Sequence, residues 1–232
     1  MNIEIGCVEN NKVYLVGNIV STPVFSHEIF DEKFYEFMLE ISRLSDMRDV
    51  LPITVSEKLL KSTDLSIGSK IALNGQFRSY NKILDEKSKL MLTVFVRDFC
   101  EVADANPNLV QLKGYICKPP IYRTTPFSRE ICDILVAVNR SYKKSDYIPC
   151  IAWGRNARFV RDTQVGQKLF LTGRIQSREY VKKISDTESL TKVAYEVSIN
   201  KIGLDEDVDN KNIENSVTRF SDSAFANDSN KH

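Results

Sequence analysis

The chain repeats itself, and this repeat limits the folds open to it more than any other feature. Residues 13–25 (VYLVGNIVSTPVF) align with residues 110–122 (VQLKGYICKPPIY). With one further residue inserted, residues 67–79 (IGSKIALNGQFRS) align with residues 165–177 (VGQKLFLTGRIQS). A collinear match of this length indicates duplication of one domain, so the fold consists of two similar units in tandem.

Each unit has a mostly β pattern. Alternating apolar runs predict five strands in each half, near 13–20, 35–43, 50–55, 70–78 and 90–97, and near 110–117, 131–139, 147–153, 168–176 and 193–200. A helix-like stretch follows the third run in both halves, at 56–63 (SEKLLKST) and 155–164 (RNARFVRDTQ). Five short strands with one helix between the third and the fourth predict an all-β fold of two tandem OB-fold five-stranded barrels. Four glycines are predicted to lie at sharp strand bends, where a Cβ is unwelcome: Gly17, Gly75, Gly114 and Gly173.

Charge divides the chain into the same parts. Residues 1–104 hold 12 Lys/Arg and 16 Asp/Glu, residues 105–204 hold 17 and 8, and residues 205–232 hold 3 and 7. We predict a first, acidic OB-fold over 1–104, a second, basic OB-fold over 105–204, and an acidic tail over 205–232 that is too poor in apolar residues to be ordered. A basic unit between acidic parts favours a polyanionic ligand.

Several other classes find no support in the sequence. No apolar run has the roughly 20 residues that a membrane span needs, and the N-terminus lacks the pattern of a signal peptide, so we expect a soluble, cytoplasmic protein without a membrane partner. The five cysteines form no C-x-x-C pair, and the two histidines are His27 and His232. We therefore predict no metal site and no cofactor. No catalytic set with Ser, His and Asp and no phosphate-binding glycine loop is present, which argues against an enzyme.

The basic unit also carries interleaved aromatic and cationic residues. Alternation along YIPCIAWG (147–154) places Tyr147 and Trp153, the single tryptophan, on one face, and Ile148, Cys150 and Ala152 on the core face. The candidate base-stacking residues are Tyr142, Tyr147, Trp153 and Tyr180. The candidate phosphate-binding residues are Arg140, Lys143, Lys144, Arg155, Arg174, Arg178 and Lys182. Rings that stack bases beside cations that follow phosphates are what sequence-tolerant binding of single strands requires.

Each of these residues has a plainer interpretation when it is taken alone. A tryptophan at a strand end is more often part of a barrel rim or core, and basic residues near hairpin tips are usually a solvated face. Their co-location in the one net-positive unit favours the binding interpretation. An OB-fold would turn these strands and loops toward one groove.

Three stretches of the second unit carry a family resemblance. In order they are NLVQLKGYICKPPIYRT, DILVAVNRSYKKSDYIPCIAWGRNA and VGQKLFLTGRIQSREY. Together they resemble bacterial single-stranded DNA-binding protein over essentially all of 108–202, and the resemblance is fainter over 10–103. It implies that Tyr142, Tyr147, Trp153 and Tyr180 stack bases.

The first unit and the tail depart from the family pattern. By the repeat, the four stacking positions correspond to Ser45, Val50, Ser56 and Lys82 in the first unit, and none of these is aromatic. Family members usually end in an acidic tip closing on Pro-Phe, which recruits replication and repair proteins. This chain ends in SNKH, and its nearest analogue is SDSAFANDS around Phe225.

The resemblance implies a non-enzymatic, nucleoid-associated protein that coats and protects single-stranded DNA in replication, recombination or repair. An alternative is a primosome-type adaptor on an OB scaffold, with weak DNA binding of its own. The degenerate first unit and the missing Pro-Phe favour this alternative, and the intact set of aromatics in the second unit disfavours it. The strength of oligonucleotide binding distinguishes the two.

The family commonly works with four OB-folds, which a chain with two reaches as a homodimer. We therefore predict the mass of two chains in light scattering, because the edge strands of the barrels are natural pairing surfaces. A mass of one chain would contradict this prediction.

Overall fold

Both copies of the repeat have the same series of strands and one helix. The computed structural model describes residues 10–43, 45–84, 87–102, 107–141, 144–183 and 189–204. The first unit contains β1 (Asn11–Ile19), β2 (Val24–Ile29), β3 (Glu32–Ser42), β4 (Arg48–Ser56), α1 (Glu57–Ser62), β5 (Lys70–Leu84) and β6 (Lys87–Cys100). The second unit contains β7 (Asn108–Ile116), β8 (Ile121–Thr124), β9 (Glu130–Asn139), β10 (Ser145–Trp153), α2 (Arg155–Arg161), β11 (Lys168–Lys183) and β12 (Ser189–Leu204). The predicted tail, 205–232, and the predicted domain boundary at 104–105 lie outside the described residues.

Hydrogen bonding closes each unit into a five-stranded barrel. In the first unit the strands follow the order β3–β4–β6–β5–β1, and β1 pairs with β3 to complete the ring. The β4–β6 pair is parallel and the other barrel pairs are antiparallel. The second unit repeats this order with β9, β10, β12, β11 and β7. Since the helix follows the third barrel strand in both units, the predicted OB-fold class is confirmed.

Each unit also has a strand that the sequence pattern does not predict. β2 and β8 lie at the two ends of the sheet, where they pair with β3 and β9 outside the barrels. Most of their residues are exposed, so they show no alternation of buried and exposed positions. The β5–β6 and β11–β12 hairpins also extend beyond their predicted ranges. Their outer segments project away from the barrel core, so they too lack the alternation that predicts a strand.

Alternating side chains fill the barrel of the second unit. In β10, Ile148, Cys150 and Ala152 are at most 2% exposed, as the sequence predicts. Close approach of the strands requires glycine. A Cβ on Gly114 would lie 2.5 Å from the carbonyl oxygen of Ala137 in β9, well inside van der Waals contact.

Two asparagines, Asn11 buried and Asn108 half-buried, extend the hydrogen-bond ladder where the backbones separate. The Asn11 side chain donates to the Phe77 carbonyl at 2.8 Å and accepts from the Phe77 N–H at 2.9 Å. Asn108, at the equivalent repeat position, bonds Ile175 in the same way at 2.6 and 2.8 Å. Each side-chain amide makes the two hydrogen bonds that a backbone peptide group would make in a ladder. Asn11 thereby holds the start of β1 against β5, and Asn108 holds the start of β7 against β11.

The two barrels are joined through their first strands. β1 pairs antiparallel with β7 from Asn11↔Leu112 to Leu15↔Asn108, and this pairing makes one 12-stranded sheet. Val13 faces Val110, its own counterpart in the repeat. Equivalent residues face each other only at a two-fold axis, so the units form an approximately symmetric pair within one chain.

A buried carboxylate of the first unit fixes one side of this pair. Asp49 in β4 is 1% exposed and accepts from the Ser177 N–H of the second unit at 2.9 Å. Its other donors are Arg43 of its own unit at 2.7 Å and Arg174 of the second unit at 3.4 Å. The Ser177 hydroxyl completes the contact by accepting from the Val50 N–H at 3.1 Å.

Asp146 in β10 makes the reciprocal contact on the other side of the axis. It accepts from the Ser79 N–H of the first unit at 2.6 Å and from Arg140 at 2.7 Å, and the Ser79 hydroxyl accepts from the Tyr147 N–H at 2.8 Å. Burial raises the pKa of Asp146, although these donors and Arg78 act in the opposite direction. The hydrogen bonds from Ser79 and Arg140 thus oppose the cost of burying this carboxylate.

Replacing Asp49 by Ala should destabilise the fold strongly. The change leaves the donors of Arg43, Arg174 and the Ser177 N–H without their acceptor, which we expect to lower the free energy of unfolding by about 3–5 kcal/mol. Urea denaturation at neutral pH measures this loss.

The matched control is Asp133→Ala, which removes an exposed carboxylate paired with Arg123 at 2.8 Å. An exposed ion pair contributes about 0–1 kcal/mol, so the control should unfold close to wild type. Equal losses for the two variants would contradict the role of Asp49 in joining the units.

Candidate nucleic-acid interface

The predicted aromatic face of β10 is present at the two ends of the strand. Tyr147 is 46% exposed and Trp153 is 39% exposed. Between them on the same face, Ile151 is buried. Six residues of extended chain separate the two rings by roughly 20 Å, so they mark two separate places on the surface.

Trp153 ends β10 because the chain turns there into α2. Gly154 has φ +52°, a left-handed conformation that glycine adopts without strain, and its N–H donates to the Glu130 carbonyl at 2.9 Å. Arg155 is exposed as the first residue of α2, two positions after Trp153. The turn therefore carries an exposed large ring and an exposed cation two positions apart in the chain.

Tyr180 lies in the β11–β12 hairpin, beyond the predicted range 168–176 of the fourth strand. It is 37% exposed and pairs with Lys192 in β12. Arg178, on the same face, holds its guanidinium carbon 5.9 Å from the centre of the Tyr180 ring, and its Nε lies 3.6 Å from a carboxylate oxygen of Glu196. This hairpin face combines an exposed ring with an exposed cation, as stacking on a charged strand requires.

Tyr147 faces the first unit. It lines a cleft of about 810 Å³ between the two barrels, together with Lys144 of its own unit and Arg78 and Tyr80 of β5. Tyr147 therefore shares the lining of this cleft with residues of the first unit, whereas Trp153 and Tyr180 are not part of that lining. We call this space the inter-unit cleft.

Two of the predicted phosphate-binding residues make ion pairs at the contact between the units. Arg140 donates to Asp146 and to the Ser79 carbonyl, and Arg174 donates to Asp49 and, at 3.1 Å, to Gln176. Burial, followed by the positive charge of Arg43, lowers the pKa of Arg174. Their role in phosphate binding stays a prediction.

The remaining predicted residues fall outside what the structure describes. Tyr142 and Lys143 lie outside the described residues, and so does the side chain of Lys182, whose backbone belongs to β11. Of the predicted phosphate-binding residues whose side chains the structure describes, Lys144, Arg155 and Arg178 are exposed. These three are therefore open to solvent beside the candidate stacking rings.

The first unit holds other side chains at the positions where the family pattern has rings. Ser56 caps α1 by accepting from the Leu59 N–H at 3.4 Å, and Val50 takes part in the contact between the units. Lys82 is exposed and lines the inter-unit cleft. Ser45 lies in an exposed bend after β3.

The first unit has instead a group of rings that sequence reasoning missed. His27 stacks on Phe34 with ring centres 5.0 Å apart, and Phe34 lies 5.6 Å from Phe95. These residues come from β2, β3 and β6, and all three line the inter-unit cleft. The family pattern could not indicate them, because their repeat counterparts in the second unit are not the stacking positions.

Within the described residues, potential metal ligands are dispersed and two of the cysteine thiols are buried. No group of three or more His, Cys, Asp and Glu side chains there could hold a metal ion. Burial raises the pKa of the Cys132 thiol to about 11, and it raises the pKa of the Cys150 thiol as well. Such thiols stay protonated and serve as small core residues. None of the described helices is long and apolar enough to cross a membrane.

Comparison with known proteins gives consistent matches. Residues 107–204 match the sequence model described as "Single-strand binding protein family". "Single-stranded DNA-binding protein 1" of Streptococcus pyogenes serotype M18 (strain MGAS8232) is 31% identical over 96 residues, which cover 38% of this chain and 74% of that protein. "Single-stranded DNA-binding protein 1" of Staphylococcus aureus (strain COL) is 35% identical over 80 residues, 32% of this chain and 48% of that protein. The chain thus spans about half the length of this second relative.

A solved structure extends the match to both units. The wild-type single-stranded DNA binding protein from Thermus aquaticus superimposes with a TM-score of 0.67 over 84% of this chain and 92% of that one, at 17% identity. At this identity the likeness concerns the fold alone. It covers both barrels, including the first, which the sequence model does not reach.

Proposed function

This chain belongs to the single-strand binding protein family, and on that premise we propose that it binds single-stranded DNA without catalysing a reaction. The observation that carries the proposal is the exposure of Trp153 and Tyr180, two large rings beside the exposed cations Arg155 and Arg178. Exposed rings beside cations stack bases and neutralise phosphates on an OB-fold. The relatives' names support the same ligand.

In this mechanism the bases stack on the second unit and the backbone follows its cations. Trp153 and Tyr180 each take a base, and Tyr147 takes another at the contact between the units. Lys144, Arg155 and Arg178 meet phosphates. Each stacked base contributes about 1–3 kcal/mol, independently of its identity, so binding has little sequence preference.

The biological role we propose is coating and protection of strands exposed in replication, recombination or repair. Two copies of the chain bring four OB-folds together as a homodimer. Recruitment of replication or repair proteins is assigned to the tail around Phe225, outside the described residues. In this role the protein lies in the cytoplasm, on the nucleoid.

Titration of oligo(dT) into the protein, followed by the fluorescence of Trp153, tests the proposal. We expect strong quenching at low salt that weakens as salt rises, because binding releases counterions with a slope of about −0.7 per phosphate on single strands. Tyr180→Ala should weaken binding by about 1–3 kcal/mol. Phe159→Ala removes an exposed ring of α2 and serves as the control.

Absence of quenching, with DNA unbound even at low salt, would overturn the proposal. The primosome-type adaptor would then be the better interpretation, and binding would require a partner protein.

A second test compares two arginines on β11. Arg178 is 56% exposed, so Arg178→Ala should reduce the salt slope by about 0.7 and leave stability near wild type. Arg174 is paired with Asp49, so Arg174→Ala should lower the free energy of unfolding and leave the salt slope unchanged. Salt-dependent titration and urea denaturation of both variants measure these effects. The reverse outcome would assign Arg174, and not Arg178, to the phosphates.

A further inference from the structure

The inter-unit cleft has a wall of neighbouring planar groups. His27 is stacked on Phe34 with an angle of 16° between the ring planes, and Phe95 follows Phe34 with its ring tilted by 43°. The Arg78 guanidinium lies 3.9 Å from the centre of the Phe95 ring and continues the series. A row of rings closed by a guanidinium is a surface on which further flat groups can stack.

A strained, fully exposed ring stands at the rim of this cleft. Phe30 is 98% exposed with φ +50°, and Asp31 beside it has φ +62°. The two residues form the tight turn between β2 and β3, where Ile29 pairs with Glu32. Such turns favour Asn and Gly, so a Phe here is costly both in conformation and in exposed apolar area. A strained residue at a binding surface is a recurrent sign of function.

Positive charge dominates the lining of the cleft. Arg78 and Lys82 come from the first unit, Arg140 and Lys144 come from the second, and Glu32 is the carboxylate among the lining residues. The cleft therefore favours an anionic ligand.

Arg78 lies near the charges of two other arginines, and Asp146 compensates them only in part. Its guanidinium donates to the Gln76 side-chain oxygen at 2.8 Å, which also accepts from Arg97 at 3.3 Å. Within the described residues no carboxylate forms an ion pair with Arg78. Burial, then the charges of Arg97 and Arg140, lower the pKa of Arg78 to about 10, while the charge of Asp146 acts in the opposite direction. A phosphate group would relieve this repulsion.

From these observations we propose that the inter-unit cleft is a second base-stacking site for single-stranded nucleic acid. Bases stack on His27 and Phe30, and phosphates meet Arg78 and Lys82. Tyr147 and Lys144, which line the cleft from the second unit, are shared with the site proposed there. The volume of about 810 Å³ lies within the roughly 300–1,000 Å³ of sites for small organic ligands, enough for a nucleotide. The inference rests on the proposed function and extends it: the first unit binds the strand through rings of its own.

The strand is the occupant that these features favour over a protein. A single strand supplies flat bases and phosphates together, which matches a row of rings flanked by cations. The rings come from β2, β3 and β6 of one unit, and Tyr147 comes from the other unit. A strand that occupies both this site and the second unit must therefore cross the contact between the barrels.

The test compares short and long oligonucleotides. An OB-fold occupies about 4–16 nucleotides, so an oligo(dT) of about 10 fits one unit and one of about 30 reaches both. The His27→Ala, Phe30→Ala double variant removes partly or fully exposed rings, and Phe159→Ala is the control. The fluorescence of Trp153 reports binding at the second unit, and light scattering reports the mass of the assembly.

We expect the double variant to bind the short oligonucleotide like wild type and the long one at least about fivefold more weakly. Wild-type affinity of the double variant for the long oligonucleotide would overturn the inference and leave the proposed function standing. A changed mass without DNA would also overturn it, since the cleft would then hold a second copy of the chain. Failure of the wild-type protein to bind either oligonucleotide would instead refute the proposed function, and the inference with it.

Discussion

The antiparallel pairing of β1 with β7, together with hydrogen bonds to two buried carboxylates, determines how the two barrels lie against each other. β1 and β7 close their barrels only through their last residues, and the pairing joins their first halves, which would otherwise present unpaired backbone groups. Asp49 and Asp146 then lock the barrels on either side of the axis through the backbone of Ser177 and Ser79. A buried carboxylate tolerates little movement of its donors, so the arrangement of the two units is rigidly specified.

This arrangement makes the inter-unit cleft a product of both units. The N–H groups of Val50 and Tyr147 bond the serines of the opposite unit, so the start of the third barrel strand of each unit lies against the other barrel. Tyr147 consequently completes the cleft of the first unit, and Val50 takes the equivalent place beside the second. A unit cut out of the chain would lose part of its own surface as well as its partner.

The sequence predicts those parts of the fold that local patterns encode. Alternation in β10 identifies the buried face of Ile148 and Cys150, and the repeated glycines mark the places where strands come close. β2 and β8 carry no such signal, because an exposed edge strand has no face to bury. The OB-fold was therefore predictable, while its hairpins and edge strands were not.

The residue types of the candidate site were predictable from the sequence, whereas the contacts that these residues make were not. Exposed rings at 147, 153 and 180 follow from pattern and resemblance. The partner of Arg174 is 125 residues away, and nothing local indicates that a cation will meet a buried carboxylate at that distance. The rings of His27 and Phe34 escaped notice for a related reason. They come together only when β2 folds back on β3, and β2 itself was not predicted.

Because both units are encoded in one chain, their surfaces need not be identical. In a homodimer of single barrels, a two-fold axis places the same residue at both equivalent positions, so a ring gained on one side is gained on both. Here positions 50 and 147 are encoded separately, and one is Val while the other is Tyr. The chain can thus keep the symmetric contact that Asp49 and Asp146 require and still present two different surfaces. In the proposed binding mode such a pair has a direction, since the strand would meet the second unit at one end and the inter-unit cleft at the other.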